Sequence, residues 1–118
     1  MTSQPSTTSR GRDGEARAAA FLVDLGWNIV QKNFRGRRGE VDIVAVREGI
    51  IGFFEVKSWA VLPYESLEHS VTRRKLSRII GASREFLAVN RCFDGFSPHY
   101  EVLFVSGDTV KQIPGVVE

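Results

Sequence analysis

Two apolar runs flank a two-residue turn signal, and this hairpin limits what the rest of the chain can be. Glu40 to Val46 and Ile50 to Ser58 each read as a strand, and Glu48-Gly49 reads as the tight turn joining them. On the first strand Val41, Ile43 and Ala45 fall on one face, with Glu40, Asp42, Val44 and Val46 on the other. The second strand begins apolar on both faces, which places it centrally in a sheet covered on both sides. The covering helices are legible. Asp13 to Leu25 is alanine-rich with apolar residues at helical spacing (Ala16, Ala19, Ala20 and Val23, with Ala18, Leu22 and Leu25 alongside), and Gly26 ends it. A second helix runs from Ser70 or Thr72 to about Asn90, buried through Leu76, Ile79, Ile80, Ser83, Phe86 and Leu87. Trp27 to Phe34 and Tyr100 to Val105 add strands, and Thr109 to Ile113 adds a short one. The order of helix, three strands, helix and strand predicts an α/β sandwich, a mixed sheet with flanking helices.

At 118 residues there is room for one hydrophobic core, so residues 11–118 are expected to form a single domain. Residues 1–10 are polar and rich in Ser and Thr, without the apolar stretch of a secretory signal, and are expected to be a disordered tail. The longest apolar run, Ile50 to Phe54, is far short of the ~20 residues that span a bilayer, so no membrane partner is expected. Cys92 is the only cysteine, which excludes an internal disulfide and a cysteine-based zinc site and fits a reducing cytoplasm.

Charged residues stand on these strands where core residues would be expected. Glu55 and Lys57 are two apart and project from one face. A turn at Glu48-Gly49 pairs residues whose numbers sum to about 97, as Asp42 and Glu55 do, which would set their carboxylates roughly 5 Å apart. Such carboxylates repel and are costly to desolvate. A hard divalent cation such as Mg²⁺ (or Mn²⁺) removes both penalties, and a neighbouring lysine suits metal-assisted phosphodiester hydrolysis. A glutamate two before a lysine is commonly a solvated pair; Asp42 at hairpin register, on strands too apolar to face solvent, favours a site. Glu15 shares a helical stripe with Ala18, Ala19 and Leu22 and either meets solvent or points into the same site.

The basic residues form two groups. Arg35, Arg37 and Arg38 occupy a turn with Gly36 and Gly39, just before the Asp42 strand. Arg73, Arg74, Lys75 and Arg78 crowd the start of the second helix, where cations oppose the helix dipole and an anionic partner would relieve the conflict. Arginine runs in loops are usually solvated. Two such groups beside an acidic site make nucleic acid, DNA first, the expected partner. His69 and His99 read as ordinary polar residues, and Trp59 and Tyr64 as packing residues that could stack on bases.

Gly14-Glu15, the block from Arg35 through Gly39-Glu40-Val41-Asp42-Ile43-Val44, Phe54-Glu55-Val56-Lys57, and Lys75 with Arg78-Ile79 together resemble the YraN-like family of small bacterial proteins, over residues 11–106. That family is similar in fold to archaeal Holliday junction resolvases of the PD-(D/E)XK nuclease superfamily. The resemblance implies a restriction-endonuclease-like αβββαβ core, with Asp42 and Glu55 as metal ligands, Lys57 as the catalytic lysine and Glu15 as a helix-borne acid near the metal. On this reading the Val56 carbonyl would be a third protein ligand. A Mg²⁺-dependent endonuclease acting on structured or branched DNA is the expectation, a non-catalytic nucleic-acid-binding module the alternative, and a homodimer follows by analogy with junction-cutting enzymes. The chain departs from the family pattern at Trp59, usually basic, and at His99-Tyr100-Glu101, often Arg-Phe-Asp.

Overall fold

The computed structural model describes residues 7–58 and 73–114. Helix α1 (Thr7–Asp24) is followed by β1 (Asn28–Arg35), β2 (Glu40–Arg47) and β3 (Ile50–Ser58). Helix α2 (Arg73–Val89), a short 3-10 turn at Arg91–Phe93, β4 (Ser97–Ser106) and β5 (Thr109–Pro114) complete the order. The expectations for a loop over 59–70, for Trp59, Tyr64 and His69, and for a cap at Ser70 or Thr72 lie outside the described residues, as does the tail over 1–6. Residues 7–10 were expected in that tail but form the first turn of α1. A helix docked further along extends at one hydrogen bond per added residue, so its end need not coincide with its apolar stripe.

The strands form one mixed sheet in the order β1-β2-β3-β4-β5, with β3 central as its two apolar faces require. β3 pairs antiparallel with β2 and parallel with β4, over Ile50↔Ser97 through Ser58↔Val105. α2 supplies the crossover between the parallel strands. The β2–β3 turn has φ of 50° at Glu48 and 79° at Gly49, the left-handed pair of a two-residue hairpin. This α/β arrangement, a five-stranded mixed sheet with two helices among the described residues, is compatible with a restriction-endonuclease-like core.

Two clusters fill the sandwich. On the α2 side Val41, Val44, Ile51, Phe53, Val102, Phe104 and Ile113 meet Ile79, Ala82 and Phe86. On the α1 side Ile43, Ala45, Phe54, Leu103 and Val105 meet Ala18, Ala19, Leu22 and Trp27. Gly14, Ala18, Ala19 and Leu22 are the buried stripe of α1, whereas Ala16, Ala20, Val23 and Leu25 are exposed. In α2 Gly81 and Ala82 are fully buried, while Leu76, Ile80 and Leu87 are only partly so.

One expectation about β2 is overturned. Val41 packs with Val44 on the α2 side, not with Ile43 and Ala45 on the α1 side. Pairing with β1 runs Lys32↔Ile43 and then Phe34↔Val41, so Asn33 and Asp42 fall between the paired positions. Asn33 has φ of 56°. A left-handed residue interrupts the pleat, and both strands exchange faces at this point. Asp42 is thereby removed from the face of Val44 and Val46.

Candidate active site

The site is built where the β2–β3 ladder stops. The predicted register holds from Arg47↔Ile50 to Ile43↔Phe54 and ends one residue short of Asp42 and Glu55. Asp42 turns its side chain to β3, where Oδ2 accepts the backbone N–H of Val56 at 2.7 Å. A carboxylate thus takes the place of a strand carbonyl. The N–H and C=O of a strand residue point to the same neighbour, so the Val56 carbonyl is directed to the Asp42 side as well.

Glu55 and Lys57 share the strand parity of Ile51 and Phe53. Lys57 Nζ lies 3.4 Å from Glu55 Oε1. The other carboxylate oxygen, Glu55 Oε2, is buried and has no hydrogen-bond partner among the described residues. An unsatisfied buried carboxyl oxygen is expensive, and its presence at this point is a local signal of a site. α1 is drawn over the same end of β3 because residue 14 is glycine. A Cβ there would stand 3.1 Å from Ser58 Oγ and 3.9 Å from Val56 Cγ1. The next residue, Glu15, is half-buried and close enough to Asp42 for their charges to interact.

Burial pushes the Asp42 carboxyl up from 3.8 to about 6. The Val56 N–H opposes that rise, while repulsion from Glu15, Glu40 and Glu55 adds to it. The raised acid, the orphaned Glu55 oxygen and the Val56 carbonyl form an oxygen-rich set that fits a hard divalent cation of the magnesium or manganese kind. Among the described residues no three His, Cys, Asp or Glu side chains converge as a complete cage. Mg²⁺ does not require one, since it commonly takes one or two carboxylates together with waters and substrate phosphates.

The basic residues separate. Arg35 at the end of β1, Gly36, Arg37, Arg38 and Gly39 of the β1–β2 loop and Glu40 at the start of β2 line one open cleft of about 430 Å³, joined by Arg78 of α2. Arg73, Arg74 and Lys75 do not line it. Arg73 and Arg74 are exposed at the start of α2, and Lys75 is half-buried.

Two carboxylates escaped the sequence reading. Glu85 of α2 accepts the backbone N–H of Arg37 with both oxygens, at 2.8 and 3.1 Å. Glu101 of β4 is 6% exposed, with His99 Nε2 at 2.6 Å from Oε2 and Gln112 Nε2 donating to Oε1 at 3.1 Å. Glu101 pairs with Phe54 and shares the parity of Leu103 on the α1 side, so it belongs to the core and not to the acidic site. The charge at the head of an otherwise apolar strand was the available signal for it. For Glu85 the signal was the small-residue run Gly81-Ala82-Ser83, which marks a close neighbour of α2.

No helix among the described residues is long and apolar enough to cross a membrane. The profile of the Uncharacterised protein family UPF0102 matches residues 14–105. Among the relatives, a UPF0102 protein of Trichlorobacter lovleyi is 37% identical over 89% of this chain and 87% of its own length. One of Sulfurimonas denitrificans is 33% identical over 92% of this chain and 95% of its own. One of Clostridium perfringens is 40% identical over 73% of this chain and 70% of its own.

Proposed function

The chain belongs to the UPF0102 family, the YraN-like group, whose name carries no activity, and from its site we propose a divalent-metal-dependent endonuclease that hydrolyses phosphodiester bonds in nucleic acid. The observation that carries the reading is the buried Glu55 Oε2, without a partner among the described residues, on the strand that also supplies the N–H held by Asp42. Asp42, Glu55 and the Val56 carbonyl would hold the ion. Bound there, magnesium or manganese would polarise a phosphate oxygen and supply an acidified water.

The chain's own residues do the rest. The Val56 N–H fixes the Asp42 carboxylate in one orientation, so the ligand is set before substrate arrives. Lys57, half-exposed beside Glu55, orients the attacking water and offsets charge on the phosphate. Glu15 faces the same end of β3 from α1 and supports the water or the ion. Branched or structured DNA is the first substrate to try, on fold analogy alone.

Calorimetric titration with Mn²⁺ and Mg²⁺ tests the reading in wild type, Asp42→Ala and Glu55→Ala. Wild type is expected to bind, and both variants are expected to lose the binding. Cleavage should disappear in Asp42→Ala while nucleic-acid affinity remains. A wild-type protein that binds no divalent ion even with DNA present would overturn the enzyme and leave a non-catalytic nucleic-acid-binding module.

A further inference from the structure

The cleft beside the acidic site is unusual in how its loop is held. Both oxygens of Glu85 are committed to the backbone N–H of Arg37. The carboxylate occupies the space a side chain at residue 36 would fill, since a Cβ on Gly36 would fall on it. Gly36 N–H bonds the Gly39 carbonyl at 2.8 Å, closing the turn. The stem of Arg38 lies across Gly81 of α2, where a Cβ would be 3.1 Å from Arg38 Cβ and Cδ. The loop is therefore strapped to the helix by its backbone and by one arginine stem. The exposed guanidinium groups of Arg35, Arg37, Arg38 and Arg78 are left to line the cleft.

We infer that this cleft is a clamp for backbone phosphates of duplex nucleic acid, with Glu85 as the positioning residue that presents it. The inference rests on nucleic acid being the partner of the acidic site. Four arginines against the single carboxylate of Glu40 make the lining strongly cationic, and Glu40 itself is paired with Arg35 at 3.4 Å. Among the described residues the lining has no aromatic side chain on which an unpaired base could stack. Guanidinium groups set in this way suit the phosphate oxygens of a nucleic-acid backbone. Glu40 is two residues from Asp42, about 7 Å along the strand. Phosphates on one strand of a duplex advance about 3.4 Å per nucleotide along the axis, so a phosphate in the clamp stands within a few nucleotides of the scissile bond.

The test is binding of a DNA duplex of about 20 base pairs, and of one of its strands alone, with EDTA present and salt varied from about 50 to 200 mM. Duplex is expected to bind more tightly than the single strand. Arg38→Ala and Arg78→Ala should each lower the slope of log affinity against log salt by about 1, whatever the sequence of the duplex. Gly36→Ala displaces Glu85 with no change of charge and should weaken duplex binding about tenfold. Glu85→Ala removes a negative charge, so charge alone predicts tighter binding; the positioning role predicts weaker binding, restored by Glu85→Gln, which keeps an acceptor for the Arg37 N–H. Circular dichroism checks each fold, and the exposed Arg78 variant carries the test if a loop variant unfolds. Unchanged affinity and slope in the arginine and Gly36 variants would overturn the clamp alone, and equal binding of single strand would overturn the duplex assignment. A wild type that binds no DNA would remove the nucleic-acid reading beneath both.

Discussion

Replacing Asp42 by Asn should make the metal-free protein more stable at neutral pH and less so in acid. The carboxyl is raised from 3.8 to about 6 by burial first, with Glu15, Glu40 and Glu55 adding repulsion against the relief from the Val56 N–H. The folded state therefore holds a proton that the unfolded chain has released between those two values, and stability falls as pH rises through that window. Above about pH 6 the whole penalty is present, and below about pH 4 it is gone. The rise corresponds to at most about 3 kcal/mol, and partial solvent access to the side chain reduces it to about 1–2 kcal/mol. Asparagine keeps an oxygen for the Val56 N–H and carries no charge, so it escapes the penalty. Urea denaturation in EDTA at several pH values reads the difference, which should be about 1–2 kcal/mol near pH 7 and vanish near pH 4. Added Mn²⁺ should then stabilise wild type and leave Asp42→Asn unmoved. An asparagine variant no more stable at neutral pH, or one whose advantage persists undiminished in acid, would refute the electrostatic account of Asp42.

Two further outcomes concern the scaffold. Glu48 occupies a left-handed position of the β2–β3 turn, with φ of 50°, so Glu48→Asn should raise stability by about 0.5–1 kcal/mol in thermal or chemical denaturation. Phe86 is fully buried and its ring meets those of Phe34, Phe53 and Phe93 at centroid distances of 5.3–5.9 Å. Phe86→Ala should cost about 3–5 kcal/mol, read from the urea midpoint, without shifting the pH profile that Asp42 sets.

The hairpin was legible because turn type fixes register: Glu48-Gly49 determines every β2–β3 pair down to Ile43↔Phe54. The central position of β3 followed from its two apolar faces, and the stripe bearing Glu15, Ala18, Ala19 and Leu22 followed from helical spacing. The face switch at Asn33 and Asp42 did not follow, because alternation assumes an unbroken pleat and one left-handed residue resets it. For that reason the acid was assigned to the face of Val44, when its side chain bonds instead to the backbone of β3. Glu85 was missed because its partner is a backbone N–H of the distant β1–β2 loop: the small-residue run before it marks a close neighbour of α2 without naming which group meets it. Glu101 joins His99 and Gln112 across β4 and β5, and the sequence marked only a charge where an apolar residue would serve.

The bond from Val56 to Asp42 gives the molecule an internal observer. The amide proton of residue 56 ends on the oxygen whose charge decides how the acidic site behaves. Its resonance will therefore drift with protonation, jump when an ion takes the carboxylate, and stay fixed when a polyanion is held only by the arginine loop. One backbone signal separates the three events without any label being introduced.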